Sequence, residues 1–162
     1  MMKFKGYQPH LLVLTSNNLL QRVHLDTGEV LQSVYLSRKY KFKNLSWDEE
    51  LETVVVKSTS FENEDGGQVS WLAFAVFQVY PFELIAMFEI NVKMFGNDAI
   101  DLNISANKLI SYHLYDGQQC YYSFPRILET FATKNIKLGD IYEDDVVGEY
   151  PIGIPCNVRI TE

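Results

Sequence analysis

The most apolar stretch of the chain, VSWLAFAVFQVYPFELIAMFEIN at residues 69–91, restricts the fold more than any other feature. It can be interpreted as a membrane span or as two strands of a buried sheet. A spanning helix needs about 20 mainly apolar residues, yet Pro81 falls near the centre, and Glu83 and Glu89 interrupt the second half. A carboxylate near the bilayer centre costs roughly 2.5 to 3.5 kcal/mol on insertion scales. A hydropathy scan could flag these residues, but we do not expect membrane insertion.

A β-hairpin explains the same residues better. Residues 69–80 and 82–90 are each rich in aromatic and β-branched side chains and have about the length of a strand. Pro81 suits the turn between them, because its ring fixes φ and its missing N–H is not needed by the ladder. Strict alternation then places Glu83 and Glu89 together on the less apolar face of the second strand.

The rest of the chain repeats this strand-turn-strand pattern. Short apolar segments are separated by turn residues such as the Asp-Thr-Gly-Glu run around Gly28, where glycine can adopt a positive φ. Helical spacing occurs at residues 125–131, with Pro125 suited to a first helical turn and Ser123 to a capping position. The pattern predicts an all-β fold with one short helix.

A faint internal repeat accompanies the strands. LLVLTSNNLLQRV, NLSWDEELETVVVKS and KLISYHLYDGQQCYYSF each contain a strand, a polar turn and a second strand. The first interval between them matches the roughly 40 to 45 residues of a propeller blade, and an acidic loop lengthens the second. We therefore predict a partial, WD40-like β-propeller of about three four-stranded blades. It forms a single domain over residues 1–162, with units at about 8–46, 47–105 and 106–162.

Composition argues against several classes of function. The formal net charge is −7, whereas binding to a phosphate backbone requires a local excess of Lys and Arg. Lys39, Lys41 and Lys43 form one basic strand face, which we interpret as solvated, so no nucleic-acid partner is expected. Cys120 and Cys156 are too few for a disulfide framework or a structural zinc site.

The residues that could carry catalysis are scattered. The three histidines are far apart in sequence and lack the spacing of metal ligands, and no nucleophile elbow, phosphate-binding loop or dinucleotide fingerprint occurs. Cys120 shares a predicted strand face with Tyr122 and Phe124, which indicates a core thiol. We expect no catalytic residue, no metal and no cofactor. A propeller enzyme would need convergent polar residues at the inner ends of several blades, and the sequence does not indicate them.

One motif suggests protein binding, namely Trp47-Asp48 in the run NLSWDEE. In WD repeats such a pair ends a strand, and the Asp can hydrogen-bond into a neighbouring turn. The alternative interpretation is purely structural, with Trp47 packed between two units of the fold and Asp48 capping a turn. Both interpretations remain open from the sequence.

Several segments resemble a known family. KFKNLSWD, VVVKS, AVFQVYPFELIAMFEIN and GEYPIGIPCNVRITE are together similar to the damaged-DNA-binding-protein and cullin-4 associated factors, over most of the chain. The resemblance implies a part of a nuclear and nucleolar β-propeller that serves as a substrate receptor of a cullin-4 RING ubiquitin ligase. Such a receptor performs no bond chemistry. It bridges the ligase adaptor, a damaged-DNA-binding protein, and a protein substrate, whose identity the sequence does not reveal.

The resemblance also assigns a role to Trp47 and Asp48. Many receptors of this class bind the adaptor through a Trp-Asp-x-Arg box, which here would be Trp47-Asp48-Glu49-Glu50. Glu50 replaces the arginine, and a carboxylate cannot supply the guanidinium fork. The sequence thus departs from the box at its basic position. The alternatives are a generic propeller scaffold without a ligase role and an integral membrane protein with a span near 69–91.

Overall fold

The fold was analysed in a computed structural model, which describes residues 10–48, 51–59, 61–62, 70–79, 82–96, 98–115, 117–131, 146–147, 150–151, 156 and 158–160. The strands are β1 (His10–Leu14), β2 (Leu19–His24), β3 (Val30–Tyr35), β4 (Phe42–Asp48), β5 (Thr53–Ser58), β6 (Phe61–Glu62), β7 (Ser70–Gln78), β8 (Glu83–Asn91), β9 (Ala99–Ser105), β10 (Lys108–His113), β11 (Gln119–Ser123), β12 (Val146–Val147), β13 (Tyr150–Pro151) and β14 (Val158–Ile160). A 3₁₀ helix at Val92–Phe95 and an α-helix, α1, at Phe124–Phe131 complete the described elements. The predicted all-β fold with one short α-helix is confirmed.

The apolar stretch forms the predicted hairpin. Strands β7 and β8 pair antiparallel along their whole length, from Trp71 opposite Asn91 to Gln78 opposite Glu83. Aromatic and β-branched side chains dominate both strands, as the pleated surface favours. Pro81, predicted to lie in the turn, is outside the described residues. Within the described parts of the chain, none of the helices combines the length and the apolar character needed to cross a membrane.

The predicted faces of β8 are wrong in one respect. The register shifts between Val76 and Phe77, so that Ala86 pairs with Val76 while Leu84 pairs with Phe77, and Ile85 is the extra residue of a β-bulge. Strict alternation ends at such a bulge. Glu83 therefore lies on one face of the sheet and Glu89 on the other, whereas the sequence pattern placed them together.

Three sheets contain most of the described strands. The first sheet is the meander β1-β2-β3, and the third sheet has the order β11-β10-β9. Between them in sequence, the central sheet has the order β14-β8-β7-β5-β4, with β6 also paired to β7. Its pairs are antiparallel except for β14, which lies parallel to β8. Strands β12 and β13 form a separate pair.

The central sheet is buried on both faces. One face joins residues of the first sheet, such as Leu20 and Val34, in a core with Val54, Val56 and Phe77. The opposite face packs against the third sheet and α1 in a second core, whose largest members include Phe74, Phe88, Leu102 and Leu109. Burial on both sides explains why residues 69–91 read as a nearly continuous apolar run.

A buried asparagine connects the first sheet to the central one. Asn18, in the turn between β1 and β2, has φ of 68° and is 7% exposed. Its side-chain amide donates to the carbonyls of Ser37 and Tyr40, and its Oδ1 accepts from the Phe42 N–H at 2.9 Å. The turn chemistry of Ser16-Asn17-Asn18 thus also fixes the segment that leads into β4.

The sheets are grouped differently from the predicted repeat units. Strand β4 continues across the predicted boundary between residues 46 and 47, and β9 pairs with β10 rather than with the central sheet. The first and third sheets have three strands each among the described residues. The division of residues 1–162 into propeller blades at 8–46, 47–105 and 106–162 stays a prediction.

Candidate functional site

The two predicted binding residues lie at the end of β4. Trp47 is half-buried and packs against the core between the first and central sheets. Asp48 accepts a hydrogen bond at its Oδ1 from the Leu51 N–H at 3.1 Å, which closes the connection to β5. Trp47 therefore packs between two sheets, and Asp48 caps a turn. Glu49 and Glu50, the rest of the box, lie outside the described residues.

Beside Asp48, a cleft of about 520 Å³ opens between the central sheet and the third sheet. Its walls come from β4, β5 and the connection between them, from β7, β8, β9 and the turn between β9 and β10, and from the first residue of α1. The lining residues are Ser46, Trp47, Asp48, Leu51, Thr53, Val55, Val76, Gln78, Ile85, Ile104, Ser105, Ala106, Asn107 and Phe124. Volumes of this size are typical of sites that bind small ligands.

The wall formed by the third sheet depends on a tight turn. Ala106 and Asn107 connect β9 to β10 and both have positive φ, 50° and 64°, as a type I′ hairpin turn requires. The Phe124 N–H donates to the carbonyl of Asn107 at 3.2 Å. This bond fixes the start of α1 against the turn, and Ser123 caps the helix by accepting from the Arg126 N–H at 3.4 Å.

The cleft has an apolar floor and a polar rim. The floor is formed by four buried residues, Val55, Val76, Ile104 and Phe124. Ser46, Thr53, Ser105 and Asn107 are among the polar residues of the rim. Asp48 is the one charged residue among the described residues that line the cleft.

A second polar cluster surrounds Glu89 on the opposite face of the central sheet. Glu89 Oε2 accepts from the Tyr40 hydroxyl at 2.6 Å and from Lys39 Nζ at 3.1 Å, and Oε1 lies 3.9 Å from Arg159 Nε. Lys39 Nζ also lies 5.3 Å from the ring centre of Trp71. The Glu89 cluster therefore joins the segment before β4, the central hairpin and β14.

The electrostatics of the Glu89 cluster favour an ionised carboxylate and protonated neighbours. Burial alone would raise the pKa of Glu89, but the bonds from Tyr40 and Lys39 and the positive charges of Lys39 and Arg159 lower it below its ordinary value. Burial is the largest cause that raises the pKa of Tyr40, and the hydrogen bond to Glu89 raises it further, so that it lies far above its usual range. Burial is also the largest cause that raises the pKa of Cys156, and the negative charge of Glu89 adds to it, which brings the pKa to about 11. This thiol therefore stays protonated and is a poor nucleophile.

A third polar group lies in the third sheet and resembles a catalytic relay. His113 Nδ1 lies 3.1 Å from Asp98 Oδ1, and Ser111 Oγ lies 2.8 Å from His113 Nε2. Because an ionised carboxylate only accepts, Nδ1 carries the proton in the bond to Asp98, and in that tautomer Nε2 accepts from the serine. Ser111 is 0% exposed, so its hydroxyl cannot reach a substrate. The relay braces the turn before β9 against the end of β10.

The described residues give no other candidate for chemistry. Among them, no group of three or more His, Cys, Asp or Glu side chains could hold a metal ion. Cys120 and Cys156 are free thiols of intermediate exposure.

Sequence reasoning identified Trp47 and Asp48 but missed the rest of the cleft. Ile85, Ile104, Asn107 and Phe124 come from segments that are distant in sequence, and no local motif marks them. The one available signal was the Ser-Ala-Asn-Lys turn between two predicted strands. The Glu89 cluster was also missed, because its partners lie 49 or more residues away in the chain.

Comparison with known proteins places the chain in a family. The family model described as DDB1- and CUL4-associated factor 17 matches residues 1–162. The chain belongs to this family. Relatives named DDB1- and CUL4-associated factor 17 are 40% identical in Danio rerio and 38% identical in both Mus musculus and Homo sapiens. The matches cover 94% of this chain for the fish protein and 96% for the two mammalian ones.

The chain spans about a third of the length of these relatives, with 31% of the fish protein and 32% of the mammalian proteins covered. No solved structure shows significant similarity to it. Membership of the DDB1- and CUL4-associated factor 17 family agrees with the resemblance found in the sequence. The names of these relatives describe association with DDB1 and CUL4.

Proposed function

We propose that this chain is part of a non-catalytic substrate receptor of a cullin-4 RING ubiquitin ligase. Its partners are the damaged-DNA-binding adaptor on one surface and a protein substrate on another, and it needs no cofactor. Membership of the DDB1- and CUL4-associated factor 17 family carries the proposal. The scattered polar residues and the fully buried Ser111 also favour a binding role.

We further propose that the chain supplies a sector of a WD40-like β-propeller. The support is the packing of three sheets that follow one another in sequence, with the central sheet buried between the other two. Its strands β4, β5, β7 and β8 form a four-stranded antiparallel meander, which is the composition of a blade. The remaining blades would come from the two thirds of the relatives' length that the chain does not span.

The adaptor test is purification of the epitope-tagged full-length protein from cells, with the damaged-DNA-binding adaptor and cullin-4 as readouts. The proposal predicts recovery of both under native conditions. Recovery of neither would leave only a propeller scaffold without a ligase role. Imaging of the same tagged protein tests the proposed nuclear and nucleolar location, and exclusion from the nucleus would contradict that part.

The contribution of the Trp-Asp-x-Arg box needs a separate variant. If Trp47 and Asp48 form a weakened adaptor contact, the substitution Glu50→Arg restores the missing guanidinium and should increase adaptor recovery. Glu49→Arg, which adds the same charge one position earlier, is the matched control. Equal recovery for wild type, Glu50→Arg and Trp47→Ala would show that the adaptor binds elsewhere.

A further inference from the structure

The cleft beside Asp48 has the features of a groove for a peptide side chain. Its floor is apolar and largely buried, and its volume of about 520 Å³ exceeds that of any single side chain. An apolar group that enters such a site is removed from water, which favours binding. The polar rim of serine, threonine and asparagine can bond to the backbone of the occupant.

The charge of the rim selects the type of occupant. Asp48 uses Oδ1 for the Leu51 N–H, and no other hydrogen bond or ion pair to Asp48 is found among the described residues. Lys57 is the basic residue of the neighbouring strand β5, but it is bound to Asp101 at 3.0 and 3.1 Å. Asp48 is the one charged residue among the described residues that line the cleft, so the rim suits a cationic group.

The position of β4 allows an extended occupant. In the central sheet β4 is the terminal strand, and it pairs with β5 alone among the described strands. Lys43, Asn44 and Ser46 along it are exposed. A terminal strand presents unpaired backbone groups that can add a further extended segment. Such a segment would run past Ser46 and Asp48 at the mouth of the cleft.

We infer that the cleft binds an extended peptide segment of a partner protein, with an apolar side chain on the floor formed by Val55, Val76 and Phe124 and a lysine or arginine at Asp48. This inference rests on the proposed receptor function, for which it specifies the chemistry of the target. It does not depend on the adaptor contact, because Ser105, Ile104 and Phe124 on the opposite wall are outside the Trp-Asp-x-Arg box.

The test uses the epitope-tagged full-length protein as bait for a random-peptide library displayed on phage. Selected peptides are then synthesised with a fluorescent label and titrated by fluorescence polarisation. The inference predicts enrichment of peptides that combine Leu, Ile or Phe with a nearby Lys or Arg. Enrichment of acidic peptides, or no enrichment over an empty support, would overturn it.

Two substitutions locate the binding. Ser105→Trp places a large ring in the mouth of the cleft from an exposed position, and we expect at least about tenfold weaker binding, equivalent to about 1.4 kcal/mol. Lys108→Trp is the matched control, because it adds the same ring to the same hairpin outside the cleft. Asp48→Asn keeps an acceptor for Leu51 but removes the charge, so peptides with Lys or Arg should lose affinity more than their Ser-substituted analogues.

The outcomes separate this inference from the proposed function. Adaptor recovery without cleft-dependent peptide binding would overturn the inference and leave the receptor intact. Peptide binding that Ser105→Trp removes, without adaptor recovery, would support the cleft and contradict the ligase role. If the chain instead forms a dimer that Ser105→Trp dissociates in sedimentation, a second copy is the occupant and the inference is wrong. Circular dichroism of each variant verifies folding. If Ser105→Trp does not fold, the affinity of Asp48→Asn for peptides with Lys or Arg tests the inference instead.

Discussion

Asp48 and Glu89 are carboxylates at the two faces of the central sheet, and their surroundings differ sharply. Glu89 is 13% exposed and bonded to a tyrosine hydroxyl and a lysine, with an arginine nearby. Asp48 holds one backbone N–H and faces an open cleft. A buried carboxylate bonded to a tyrosine and paired with two cations stabilises the fold, whereas one that holds a single backbone N–H beside an open cleft can bind a partner. Position in the sheet, rather than residue type, separates the two roles.

Removing the carboxylate of Glu89 is expected to have the largest effect on stability. We expect Glu89→Ala to lower the free energy of unfolding by about 2 to 4 kcal/mol, because the buried Tyr40 hydroxyl loses its acceptor and two cations lose their partner. The loss stays below that of a fully buried pair because the side chains of Lys39 and Arg159 are 56% and 64% exposed. Urea unfolding of the purified full-length protein measures this loss. Glu83→Ala, an exposed carboxylate on the same strand, is the control, and an equal loss there would contradict a special role for Glu89.

The pH dependence of stability tests whether Glu89 is ionised in the folded chain. The pKa of Glu89 is lower in the folded chain than its ordinary value, so the unfolded chain binds the proton more tightly. The stability that Glu89 contributes is therefore present above its ordinary pKa and is lost as the pH falls toward the folded value. Urea midpoints measured from neutral to acidic pH should fall less steeply in Glu89→Gln than in wild type. An unchanged slope would show that Glu89 is not held in its ionised form by these contacts.

A smaller effect is expected at the hydroxyl that bonds to Glu89. Tyr40→Phe removes one hydrogen bond to a charged acceptor and leaves the ring in place, so the loss should be about 1.5 kcal/mol. In Glu89→Gln the same substitution should cost less, since the charge that strengthens the bond is gone. Chemical denaturation of the four proteins in this cycle gives the coupling energy. A coupling near zero would mean that Tyr40 contributes through its ring alone.

Local patterns predicted the elements of this fold well. The hairpin at residues 69–91, the meander near Gly28 and the helix at 125–131 follow from alternation, turn residues and helical spacing. The bulge at Ile85 was not predictable, since one extra residue leaves no mark in an apolar run. The parallel pairing of the short strand Val158–Ile160 with β8 was also missed, because it depends on residues far apart in the chain.

The candidate site was predictable only in part. The Trp47-Asp48 pair is a recognisable local motif, and its position at the end of a strand follows from the sequence. The opposite wall comes from the β9–β10 turn and Phe124, which reach the cleft through packing of the third sheet. The partners of Glu89 come from both sides of the hairpin in sequence, so a carboxylate in an apolar run could be identified but not paired.

The most direct test of the account exchanges each carboxylate for its amide and measures stability and peptide binding on the same samples. Glu89→Gln should lower the unfolding free energy by about 1 to 2 kcal/mol and leave the affinity for a selected basic peptide unchanged. Asp48→Asn should leave stability within about 0.5 kcal/mol of wild type, because the amide oxygen still accepts from Leu51, and should weaken the peptide about tenfold. The reverse pattern, or equal effects of both substitutions on binding, would contradict the assignment of one carboxylate to the fold and the other to the partner.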